Sequence, residues 1–149
     1  MEGLNVSDGM PREIFEQEIE KRIWIRNQNP EMPELLIYQY TDWSNASDPY
    51  VLLQRFIDIN TDASFKAPAI ESADAFVKKQ ATTYVFQLEI APKFFFSNPV
   101  PAWSGIFHGA DALYLFGFPL LMPTKYTTDR EIKFSKDLMI IWSNFAKIG

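Results

Sequence analysis

The chain has 149 residues, enough for one domain, and its apolar (47%) and aromatic (15%) fractions can furnish a sizeable core. The net charge of −5, with both signs scattered and no basic run, gives no support to nucleic-acid binding, and no stretch of about 18 apolar residues exists to span a membrane. The absence of cysteine excludes disulfides, thiolate catalysis and thiolate-bound metals, and leans toward a reducing compartment.

In chain order, Met1 to Met10 is polar and reads as loose. Pro11 to Asn27 is charged, with Ile14, Phe15, Ile19, Ile23 and Ile25 at partly helical spacing and Pro11 fitting a first helical turn. Pro30-Glu31-Met32-Pro33 breaks that pattern, and Glu34 to Trp43 reads as a short helix. Asp48-Pro49 predicts a helix start, with Asp48 as N-cap and Val51, Leu52, Phe56 and Ile59 on its apolar face. Pro68 to Lys79 predicts another helix, with Ile70, Ala73, Ala75, Phe76 and Val77 apolar. Thr82 to Ile90 is rich in β-branched and aromatic residues and reads as the one convincing strand. Ala91 to Phe107 reads as a loop carrying Pro92, Pro99, Pro101 and the run Phe94-Phe95-Phe96. Asp111 to Phe116 reads as a helical turn. Thr128-x-x-Glu131 is a capping box that opens a final helix through Lys147, with Phe134, Leu138, Met139, Ile141, Trp142 and Phe145 on its buried side and Gly149 as its stop.

One strand cannot make a sheet. Its backbone N–H and C=O groups need partners, and a lone strand leaves them unpaired. The helices also carry more apolar surface than one strand can cover. The chain therefore reads as the C-terminal part of a larger α/β domain, mostly helices with one or two strands of the parent sheet.

The most informative stretch is Trp103-Ser104-Gly105-Ile106-Phe107-His108-Gly109-Ala110-Asp111, which holds the only histidine. An imidazole titrates near pH ~6.5 in water, which suits proton transfer. On these residues alone the ring is either a positioned general base or an ordinary buried histidine.

The wider pattern, His108-Gly109-x-Asp111-x-x-Tyr114-x-Phe116-Gly117, resembles the histidine loop of the type-B carboxylesterase and cholinesterase family, which includes the neuroligins. Trp142-Ser143-Asn144-Phe145-Ala146-Lys147-Ile148-Gly149 is similar to that family's W-x-N-F-A-x-x-G signature. Tyr40-Thr41-Asp42-Trp43, Asp48-Pro49, Ala67-Pro68-Ala69 and Ser72-Ala73-Asp74 match in order and spacing. The resemblance covers residues 35–149, and residues 1–34 match poorly. It implies the C-terminal portion of an α/β-hydrolase fold, mostly helical, with the rest of the sheet outside these residues.

The resemblance implies that His108 takes the proton of a serine nucleophile and returns it to the leaving alcohol, while backbone N–H groups stabilise the oxyanion. Asp111 matches an acidic position near the histidine and Trp103 an aromatic one; both are candidates for supporting roles, with a turn or cap (Asp111) and packing (Trp103) as the plainer readings. No G-x-S-x-G elbow occurs, and Ser104 lacks its first glycine and its strand-to-helix setting. The chain thus carries one triad member at most. Ala110 and Val100 stand where cholinesterases place aromatic residues that cage a quaternary ammonium, which argues against choline esters. The family cysteine just before Pro68 is Ala67 here, as in neuroligins, so that disulfide has no counterpart. Two readings follow: a carboxylic-ester hydrolase acting on a small ester substrate, or a catalytically silent adhesion ectodomain binding a cell-surface protein.

The resemblance also implies a secreted or membrane-anchored parent. Met1-Glu2-Gly3-Leu4-Asn5 has neither the basic nor the apolar region of a signal peptide. Asn5-Val6-Ser7 and Asn45-Ala46-Ser47 are glycosylation candidates. Homodimerisation of the parent through the Glu34–Trp43 helix, by way of Leu35, Leu36, Tyr38 and Tyr40, is compatible with the pattern. One histidine and scattered carboxylates form no metal site, and no cofactor is expected. Expressed by itself, the polypeptide is expected to be insoluble or molten; a sharp two-state thermal transition of the isolated chain would contradict that.

Overall fold

The computed structural model describes residues 5–22, 29–95, 98–125 and 127–149, in two compact units, residues 1–83 and 84–149. In the first unit a 3-10 turn (Val6–Asp8) precedes α1 (Arg12–Glu20), α2 (Met32–Tyr40) and α3 (Pro49–Thr61). A π-helical turn (Asp62–Lys66) joins α3 to α4 (Ala67–Lys78) without interruption.

Helix α1 exists because Phe15 and Ile19 bury one face; Pro11 occupies the N-cap rather than the first helical position. Ile23 and Ile25, expected on the same face, lie outside the described residues. Helix α2 starts two residues earlier than expected, with Pro33 in its first turn, and stops at Tyr40 rather than Trp43. It stops because Thr41 turns extended, and its hydroxyl donates back to the Ile37 carbonyl at 2.6 Å. Helix α3 begins as expected: Asp48 Oδ1 accepts the Tyr50 and Val51 N–H groups at 2.8 and 3.1 Å, and Pro49 lies in the first turn. Those two donors, Val51 first, hold the Asp48 carboxyl below its ordinary value. Leu52, Leu53, Phe56 and Ile59 of α3 join Met10, Phe15 and Ile19 in the core of this unit, each contributing about 1.5–3 kcal/mol by burial.

The two helices read as separate run on through the π turn, and Pro68 explains it. A proline within a helix lacks an N–H and its ring crowds the carbonyl four residues back. Widening the preceding turn relieves both, and the Ala67 N–H bonds the Asp62 carbonyl instead. Helix α4 buries nothing: Ile70, Phe76 and Val77 are all more than half exposed.

The second unit holds a minimal hairpin, β1 (Phe94–Phe95) against β2 (Asn98–Pro99), then a 3-10 turn (Ala102–Ser104), α5 (Ala110–Leu115), α6 (Phe118–Leu121) and α7 (Asp129–Ile148). The strand expected over Thr82–Ile90 is not formed; this segment has irregular backbone with no ladder among the described residues. Its composition suits a strand, but a strand exists only where a second edge meets its N–H and C=O groups. The hairpin instead lies in the stretch read as loop.

Helix α7 opens with the expected capping box and closes on Gly149. Its buried stripe is Glu131, Ser135 and Leu138, packed on α5 and α6. Phe134 and Met139 are half-buried, whereas Ile141, Trp142 and Phe145, expected inside, are exposed. Further along α7, Trp142 meets Phe86 and Phe145 meets Tyr84 edge-to-face, with ring centroids 5.4 and 5.9 Å apart.

Gly9 sets the entry into α1. It is buried at φ +82°, and a Cβ there would stand 2.7 Å from the Pro49 carbonyl carbon and oxygen. The adjacent Met10 N–H bonds that same oxygen at 2.7 Å. Gly9→Ala in the full-length protein is expected to cost about 2 kcal/mol or more, from backbone strain and overlap together. Chemical denaturation checks it, and an unchanged midpoint would contradict it.

Candidate active site

His108 lies on the turn Phe107–Gly109 and is exposed in this structure. The turn closes with the Ala110 N–H on the Phe107 carbonyl at 3.1 Å. Gly109 then takes φ +83° as N-cap of α5, a conformation that costs a residue with a Cβ about 1–2 kcal/mol even though the space around it is open. This glycine lets the chain turn directly from the imidazole into a helix whose Ala110, Leu113 and Tyr114 are buried.

Asp111 is half-buried in the first turn of α5, but the cap position belongs to Gly109 and no side chain caps the helix. Trp103 is exposed on the 3-10 turn Ala102–Ser104. Ser104 donates its hydroxyl to the Pro101 carbonyl at 2.9 Å, as a loop serine does. His108, Asp111 and Trp103 thus share one loop-to-helix stretch. Asn5 and Asn45 lie on exposed turns of the first unit. Asn5 accepts the Ser7 N–H and donates to Asp8, and Asn45 donates to Asp48 at 3.4 Å.

A helix of six residues cannot hold itself in water. The anchor of α5 is Tyr114, which is fully buried. Its carbonyl accepts the Ser135 hydroxyl at 2.5 Å, its ring meets Phe134 edge-on at 5.1 Å, and its hydroxyl donates to Glu131 Oε1 at 3.3 Å. Burial first, and the Glu131 carboxylate second, push the Tyr114 phenol well above its ordinary value, so it stays a donor across the usual pH range. Tyr114, Glu131 and Ser135 were not singled out as site residues. The capping box marks Glu131 in the sequence, but only its bond to Thr128 is a local, readable one.

The first unit contains a groove of about 620 Å³ lined by Tyr40, Asp42, Arg55, Asp58, Asp62 and Lys66 among others. Its charges are engaged with one another: Arg55–Asp58 at 3.2 Å, Lys66–Asp62 at 3.0 Å, and the Tyr40 hydroxyl on Asp62 at 2.7 Å. Burial and that bond push the Tyr40 phenol up to about 12. None of the predicted site residues lines this groove. Among the described residues no group of three or more His, Cys, Asp or Glu is placed to hold a metal, and no helix is long and apolar enough to cross a membrane.

Mouse (Mus musculus) cholinesterase is similar to this chain, at 31% identity over 116 residues. The alignment covers 78% of this chain but 19% of the mouse protein, so the chain spans about a fifth of that relative's length. The model of the carboxylesterase family matches residues 4–149, nearly the whole chain, including the histidine turn and the helix that anchors it. This chain belongs to the carboxylesterase family.

Proposed function

We propose that these residues form the C-terminal part of a carboxylic-ester hydrolase, with His108 as its general base. The observation that carries this reading is the placement of the chain's one imidazole: exposed, on a turn fixed by a left-handed glycine, ahead of a buried helix, in a chain of the carboxylesterase family. An accessible ring on an anchored turn is what proton transfer between a serine and a leaving alcohol requires. The serine, its elbow and the oxyanion donors belong to the family's α/β-hydrolase sheet, outside residues 1–149. The uncovered apolar surface supports this: α4, the segment around Val85 and the last turns of α7 all expose large apolar side chains. Such area marks contact with further protein. Asp111 and Trp103 would stand around the imidazole rather than react. Ala110 and Val100 favour esters without a quaternary ammonium.

A neuroligin-like, catalytically silent adhesion ectodomain is the second reading, favoured by Ala67-Pro68-Ala69 and Ser72-Ala73-Asp74. Either parent would be secreted or displayed at the cell surface, where Asn5 and Asn45 could carry glycans. Leu35 and Tyr38 of α2 are exposed and available to a dimer contact, whereas Leu36 and Tyr40 already pack on the core of the first unit. Flanking coding sequence separates the two readings: Gly-x-Ser-x-Gly upstream supports the hydrolase, and a glycine or any other residue in place of that serine supports adhesion. In the full-length protein, His108→Ala is expected to lower turnover of a simple aryl ester by about 100-fold or more. Full retention of activity would show that the ring is not the base.

A further inference from the structure

Glu131 is 3% exposed, and both of its carboxylate oxygens are engaged. Oε2 accepts the Thr128 N–H at 2.9 Å and the Thr128 hydroxyl at 2.8 Å, which completes the capping box. A capping box asks nothing more of its glutamate. Yet Oε1 accepts the Lys93 N–H at 3.2 Å and the Tyr114 hydroxyl at 3.3 Å. Among the described residues Glu131 takes part in no ion pair; its carboxylate is met by four converging donors instead. Such a site specifies a carboxylate. Glutamine has the same shape, but its NH2 group would face a backbone N–H, of Lys93 or of Thr128, and the hydroxyl beside it would have to turn round and accept.

The two partners of Oε1 lie on either side of the histidine turn in the chain. Lys93 opens the hairpin and loop that lead to it, and Tyr114 anchors α5, which starts two residues after His108. We infer that Glu131 is a positioning residue for His108, tying the segment before the imidazole and the helix after it to the first turn of α7 through one oxygen. This inference rests on the reading of His108 as general base. A base displaced by about 1 Å loses up to about 100-fold in rate, so a carboxylate that touches no substrate can still govern turnover.

The test uses the full-length enzyme, with turnover expressed per active site counted by fluorophosphonate labelling driven to completion. Glu131→Gln and the milder Tyr114→Phe, which removes only the hydroxyl, are each expected to lower kcat by about 10- to 100-fold, with KM within about twofold of the parent. The double variant is expected to be no worse than the worse single, because both remove the same contact. In a His108→Ala background neither change is expected to reduce residual turnover further. Unchanged kcat per labelled site in both single variants, alongside a crippled His108→Ala, would overturn the inference while leaving the base in place. Fewer labelled sites with normal kcat per site would show a role in folding alone and would also overturn it. Full activity of His108→Ala would remove the base itself, and this inference with it.

Discussion

A buried carboxylate without an ion-pair partner is tolerated only when hydrogen-bond donors surround it, and the second unit is organised by Glu131, which has no ion pair among the described residues. Glu131 collects donors from Lys93, Tyr114 and Thr128, three points spread over 36 residues of chain before it reaches its own helix. Removing any of these donors leaves the carboxylate short of a partner, and removing the carboxylate strands up to four donors, each penalty being about 1–3 kcal/mol. Its members support one another, so the network is worth more than its separate bonds. It fixes the short helix α5, whose own length could not sustain it, and thereby the turn that presents His108.

The first unit obeys a different constraint. Its core is apolar, made where α1 and α3, as far along as Ile59, meet Met10, and Gly9 permits that approach because no Cβ fits against Pro49. Beyond the core, α3 continues as one helix through the π turn into α4, which buries nothing. A helix with Ile70, Phe76 and Val77 on its surface presents an apolar face of the kind that further protein covers. The same holds for Ile141 and Phe145 near the end of α7. These faces fit a family whose relative is about five times as long as the aligned region.

Features that depend on residues three or four apart were legible in the sequence. Asp48-Pro49 and Thr128-x-x-Glu131 announce their helices because their capping bonds close within one turn, and both formed as expected. The histidine loop was legible as a motif, and the structure places both of its flanking glycines, Gly105 and Gly109, at positive φ. Features that depend on distant partners were not legible. The Thr82–Ile90 segment has strand composition, but a ladder needs a second edge. The inner face of α7 was assigned to its largest apolar residues, whereas burial follows Glu131, Ser135 and Leu138, the side that α5 reaches. The second use of Glu131 was invisible because its Oε1 partners are 38 and 17 residues away. The π turn had a cue in Pro68, since a proline within a helical run must be relieved somewhere upstream.

If one buried carboxylate holds the helix behind the imidazole, that helix should loosen selectively when the carboxylate is neutralised. Amide hydrogen exchange of the full-length protein measures this directly. On replacing Glu131 by Gln, exchange at Leu113 to Gly117 and at Lys93 is expected to accelerate, while the amides of Leu138 to Ile140 in the middle of α7 keep their protection. Unchanged exchange at Leu113 to Gly117, or equal acceleration throughout residues 84–149, would contradict the account.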